Sequence, residues 1–138
     1  MSAHNARGFT LIEMLVIISV LGTVMAFAAP PMSRFVRTNR VTGATNTVAG
    51  DLRYARSLAS SQRRTYEVRV TPTSYSIVCV SPASTVLTRT LDHGVHFAAS
   101  DTMTFFAYGL TESATLTLLK DDCSRLVRMN STGQVTRD

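Results

Sequence analysis

The chain has 138 residues, 14 Lys and Arg against 9 Asp and Glu, a formal net charge of +5 and 45% apolar residues without a single Trp. That length holds one modest domain beside a membrane segment and leaves no room for a second. The two cysteines and the scattered His4, His93 and His96 lack the spacing of a four-ligand metal site, so neither a metal nor a cofactor is expected.

From Phe9 to Ala29 the one ionisable side chain is Glu13. At 1.5 Å per residue roughly 20 helical residues cross the ~30 Å hydrocarbon core, so this segment can span a membrane. A carboxylate in such a helix costs about 3 kcal/mol at the bilayer centre, which implies a purpose. A cut after Gly8 would place an α-amine on Phe9, four positions before Glu13, the spacing at which groups share a helix face. The amine of this chain or of a neighbouring copy would then neutralise the acid.

Arg7-Gly8-Phe9-Thr10-Leu11-Ile12-Glu13 resembles the class III signal of type IV pilins and pseudopilins. The resemblance implies a leader at residues 1–8, removed by a prepilin peptidase between Gly8 and Phe9. It further implies methylation of Phe9, a filament-core helix over 9–29, and a Glu13 that meets a neighbour's amine during assembly. Gly22 and Pro30 fall where many pilins carry residues that loosen this helix. The rival is a secretory signal, with Arg7 before an apolar run from Phe9 to Met25 and Ala26-Phe27-Ala28 as an A-x-A cut. Against it stand Glu13 inside the run and Pro30-Pro31 just beyond the cut. A plain membrane anchor explains the length but not the Gly8-Phe9-Glu13 arrangement.

Past Pro30-Pro31, Val41, Ala44, Val48, Leu52, Ala55 and Ala59 recur in steps of three and four, with Leu58 alongside. This spacing predicts an amphipathic helix from about Ser33 to Gln62, kinked from the first by the prolines and weakened at Gly43 and Gly50. Beyond Arg64 the period falls to two. Tyr66, Val68 and Val70 alternate with polar residues, then Tyr75, Ile77 and Cys79 do so across a turn at Pro72-Thr73-Ser74. Further strands are predicted at Thr85–Leu91, Val95–Ala98, Met103–Phe106, Ala114–Leu119 and Arg125–Asn130. A long helix followed by strands predicts an α+β fold, the helix burying its apolar face on the sheet. Either N-terminal signal puts Cys79 and Cys123 outside the cytoplasm, where a disulfide between them is expected, worth about 4 kcal/mol on the chain-entropy model.

The order of segments resembles the FimT/GspH group of minor pilins over nearly the whole chain. The matching stretches are Ala55-Arg56-Ser57-Leu58-Ala59, the hairpin opened by Tyr66-Glu67-Val68, Phe105-Phe106-Ala107-Tyr108-Gly109, and the turn from Asn130 to Val135. The resemblance implies that the β-rich head, residues 30–138 with the amphipathic half of the helix, forms two antiparallel sheets. It also implies a single pass through a bacterial inner membrane with the head in the periplasm. Implied partners are other pilins and minor pilins, the prepilin peptidase and membrane lipid.

No residue pattern specifies catalysis: Asp92, His93 and the many serines make no defined triad, and no glycine loop cradles phosphate. Nucleic acid is the alternative partner, because arginine suits phosphate and some FimT proteins take up DNA. Their C-terminal glycine, arginine, any residue, arginine is broken here, as Gln134 and Thr136 follow Gly133. Arg125, Arg128 and Arg137 are the remaining candidates, although residues three apart on a strand face opposite ways. The plainer reading gives the arginines to solvation, to Asp51, Asp121 and Asp122, and, for Arg34, Arg37 and Arg40, to lipid headgroups. Type IV pilus and type II secretion readings both stand at this point.

Overall fold

In a computed structural model the described residues are 9–138, with the side chains of residues 28–31 excepted. Gly8 and the kink expected at Pro30-Pro31 lie outside the described residues. One helix, α1 (Leu11–Gln62), is followed by eight strands. The chain divides into two compact units, one ending at Val36 and one, the head, spanning Arg37–Asp138.

Within the head, β1 (Tyr66–Val70), β2 (Ser74–Cys79), β3 (Ser84–Thr90) and β5 (Asp101–Phe105) form a sheet of order β3-β2-β1-β5. A second sheet has the order β4-β6-β7-β8, from β4 (His96–Phe97), β6 (Ala114–Lys120), β7 (Cys123–Met129) and β8 (Val135–Arg137). All pairings are antiparallel. The two-sheet head and the helix upon it are as the sequence implied.

The alternation that predicted the strands is the alternation that buries them. Cross-strand partners project from the same face, so Tyr66 opposite Cys79 and Phe105, and Val68 opposite Ile77 and Met103, form one apolar surface. Leu116 opposite Val127 and Met129 opposite Val135 form the second. Both join one core with Val41, Val48, Leu52, Ala55 and Ala59 of α1. The buried Thr45 hydroxyl donates to the Val41 carbonyl at 2.7 Å, so the helix stripe carries no unpaired polar atom there.

Strand limits differ from the periodic reading where turns set the register. Asp121 takes φ 50, a left-handed conformation open to Asp, and the ladder closes at Lys120 opposite Cys123. β7 therefore starts at Cys123 instead of Arg125. Val95–Ala98 contracts to the two residues of β4, whose Phe97 N–H bonds the Pro72 carbonyl at 2.8 Å and so joins the two sheets.

The expected Cys79–Cys123 bridge is not formed; both thiols are free. Cys79 ends β2 in the first sheet, buried, its Sγ 3.6 Å from the Ser81 carbonyl. Cys123 opens β7 in the second sheet, 3.7 Å from the Thr38 hydroxyl. The compartment argument supplied a reason for oxidation but no proximity, and β2 and β7 are not neighbours in either sheet.

Gly43 is a helix-interior glycine whose Cβ, if present, would meet nothing within 4 Å. Gly43→Ala is expected to stabilise the head by up to about 1 kcal/mol, read as a melting temperature raised by a few degrees.

Candidate functional site

Two regions carry the chemistry the sequence singled out: the exposed apolar half of α1 and the surface of the head. Thr10 precedes the first helical residue, and its backbone N–H and hydroxyl both donate to Glu13 Oε2, at 2.8 and 3.0 Å. The Glu13 N–H returns a bond to the Thr10 hydroxyl at 3.3 Å. This reciprocal arrangement is a capping box, with a threonine at the cap and a glutamate three residues on. The Thr-x-x-Glu spacing of Thr10-Leu11-Ile12-Glu13 is the signature of this box, a bond within its own helix that is separate from any pairing of Glu13 with the amine of this chain or of a neighbouring copy. Glu13 Oε1 has no partner among the described residues, so one carboxylate oxygen stays open to an incoming cation.

Around Glu13 the helix is apolar and uncovered, with Phe9 70% and Leu11 84% exposed. The polar side chains in this stretch satisfy themselves. Ser19 donates to the Leu15 carbonyl at 2.7 Å and Thr23 to the Val20 carbonyl at 2.8 Å, so neither presents an open hydroxyl to lipid or to another helix. No single helix among the described residues meets the length and apolarity of a membrane span. Leu11–Phe27 and Met32–Gln62 meet them together, by length and composition.

On the head, the three arginines considered for nucleic acid do not converge. Arg137 lies opposite Val127, on the helix side of the sheet, and its guanidinium bonds Asn46 of α1. Arg125 is on the same side, lining a small cleft with Thr38 and Val41. Arg128 lies opposite Thr136 on the outer face, 3.6 Å from the Asp138 carboxylate. Of the ion pairs expected for the basic helix, Arg37 meets Asp121 at 3.7 Å, whereas Asp51 is taken by Arg89 of β3 at 2.8 Å.

Two helix arginines hold roles that no local pattern marks. Arg53 donates to the Val135 carbonyl at 3.0 Å, and Arg56 Nε donates to the Gly109 carbonyl at 3.2 Å. They tie α1 to the last strand and to the loop after β5. A further cluster lies just before them on the helix: the Tyr75 hydroxyl donates to Asp51 at 2.7 Å, and the buried Tyr75 ring meets Phe97 edge-on at 6.0 Å between centroids. Burial, and then the bond to Asp51 and its charge, hold the Tyr75 phenol well above its ordinary value of 10.0. The folded head thus keeps this proton where the unfolded chain releases it. Stability falls as pH rises through about 10, the unfolded value. Melting temperatures measured from pH 8 to 11 are expected to drop steeply above pH 10, and Tyr75→Phe is expected to flatten that drop while costing about 1.5 kcal/mol at neutral pH.

Among the described residues no group of three or more His, Cys, Asp or Glu is gathered to hold a metal. His93 and Asp92 sit in the turn before β4, His93 at φ 61.

Comparison with known proteins converges on one group. The family model of the prokaryotic N-terminal methylation motif matches residues 3–29. The family model of the type II transport protein GspH matches residues 44–133. Among solved structures, the type IV minor pilin FimU of Pseudomonas aeruginosa is similar in fold, at TM-score 0.63 and 21% identity over 75% of this chain and 92% of that one. A second crystal form of FimU gives TM-score 0.58 and 21% identity over 70% and 91%. A search of curated proteins found no match. Since the GspH match takes in the second half of α1 and nearly the whole two-sheet head, the chain belongs to the GspH family, as a structural subunit of the type IV pilin and pseudopilin kind.

Proposed function

We propose that the chain is a minor type IV pilin of the FimT kind, a structural subunit that helps assemble or prime a filament. The observation that carries this reading is the uncovered apolar helix whose one carboxylate, Glu13, sits four residues after Phe9 with an oxygen open. On this reading a prepilin peptidase removes residues 1–8 by cutting between Gly8 and Phe9. Phe9 is then methylated, and residues 9–29 hold the chain in the inner membrane with the head, residues 30–138, in the periplasm. Copies of other pilins then supply the amine that Glu13 meets. The match to the methylation motif over residues 3–29 supports the cut and the methyl group.

Mass analysis of the cell-derived protein tests this directly. The expected result is a mature chain starting at Phe9 and heavier by one methyl group. A chain starting at Ala29 would mean secretion by an ordinary signal and would end the proposal.

A second reading, a pseudopilin of type II secretion, is favoured by the GspH match itself. Deleting the gene separates the two, since loss of surface filaments with secretion intact supports the first and the reverse supports the second.

A further inference from the structure

We propose that the end of the head where α1 terminates is a docking surface for the head of a different pilin-type subunit, apolar at its centre and acidic at its rim. The inference rests on the filament reading above and names the face and the chemistry of the partner. The surface is built by register. Tyr66 lies opposite both Cys79 and Phe105, so the next residues along, Val80 and Phe106, fall in one row on either side of Thr65. The Val80 N–H bonds the Thr65 carbonyl at 3.0 Å, which continues the row past the end of the strands. Cross-strand neighbours share a face, so Val80 and Phe106 project together.

Beside them stands the loop that follows β5. It is closed on itself by Phe106 N–H to the Leu110 carbonyl at 2.9 Å and by Gly109 N–H to the Phe106 carbonyl at 2.7 Å. Arg56 fixes it to α1 through the Gly109 carbonyl. This rigid loop exposes Phe106, Tyr108 and Leu110, with Tyr108 80% open. A monomeric domain has no use for three large apolar side chains on one short, pinned loop, and such clusters mark association sites. Aromatic residues held in place are the usual anchors of protein interfaces.

The charge at the rim selects the partner. Arg63 and Arg64 follow the last residue of α1, about two helical turns beyond the Arg56 that holds the loop, and both are exposed. Neither takes part in an ion pair among the described residues. A partner with carboxylates around an apolar centre matches them. A second copy of this chain does not. Its opposite end, on the order of 40 Å away at 1.5 Å per residue, is mixed in charge, with Arg37, Arg40 and Lys120 beside Asp92 and Asp122 and with Asp121 engaged by Arg37, so it offers no acidic rim.

The test places a photoreactive phenylalanine analogue at Tyr108 in the full chain, in cells that make filaments. Irradiation is expected to give an adduct whose second component, identified by peptide mass, is another pilin-type subunit. The double variant Arg63→Glu with Arg64→Glu is expected to cut the adduct about tenfold without changing the melting temperature, and Phe106→Ser to do the same. An adduct with a second copy, an adduct with lipid alone, or no adduct from protein present in sheared filaments overturns the docking surface and leaves the filament reading intact. Absence of the protein from filaments overturns both.

Discussion

Replacing Glu13 with alanine is expected to reduce incorporation into filaments at least tenfold while the head remains folded, measured as the share of protein recovered in sheared filaments against the share left in membranes. The expected size follows from electrostatics. Opposite charges 4 Å apart attract by about 4 kcal/mol at an effective dielectric of 20, and desolvation of the two groups offsets a portion of this. A remainder near 1.4 kcal/mol already gives a factor of ten. Glu13 also caps its own helix through Thr10, so alanine removes two interactions at once. Glu13→Gln separates them, because a glutamine at this position still completes a capping box but carries no charge. If pairing with an amine is what matters, Gln fails as Ala does. Wild-type incorporation of the Gln variant would assign Glu13 to the cap and remove it from assembly.

Gly133→Ala is expected to destabilise the head by about 2 to 4 kcal/mol, combining the cost of a left-handed conformation with that of overpacking. Gly133 sits at φ 74 in the turn between β7 and β8. A Cβ there would stand 2.7 Å from the Gly109 carbonyl oxygen and 2.6 Å from Arg56 Nε. The arginine could swing away, but only by giving up its bond to the Gly109 carbonyl, and the carbonyl itself belongs to a backbone pinned on both sides. Thermal unfolding followed by circular dichroism should show a fall of more than 8 °C for a domain of this size. Gly43→Ala is the matched control, since the same chemical change there meets open space and a helical backbone. A melting temperature for Gly133→Ala equal to the parent would show that the turn relaxes freely and that the close approach to Gly109 carries no cost.

Much of the head was legible because its signals are local. Helix and strand periods depend on which residues face the core, and the stripe from Val41 to Ala59 and the alternation from Tyr66 to Cys79 each survive unchanged in the folded protein. The glycines singled out at 109 and 133 are turn residues with positive φ, as their place in the pattern implied. The capping box is equally local, a Thr-x-x-Glu pattern that a view of Glu13 as a charge alone passes over. The cysteine pairing failed for the opposite reason. It is a long-range question, and nothing near Cys79 or Cys123 in the chain says which strands become neighbours.

The amino-acid sequence alone determined the apolar N-terminal segment with its solitary carboxylate, the order of helix then strands, and the face each element buries, because these follow from hydrophobicity and backbone propensity within a few residues. Only the tertiary structure decided how the six strands after the first hairpin divide between two sheets, that both thiols stay apart, and that Arg53 and Arg56 serve backbone carbonyls far along the chain. An arginine on an exposed helix flank looks the same in sequence whether it meets water, a carboxylate or a loop. Which of these it meets is settled by packing between segments that are distant in the chain, where local chemistry carries no information.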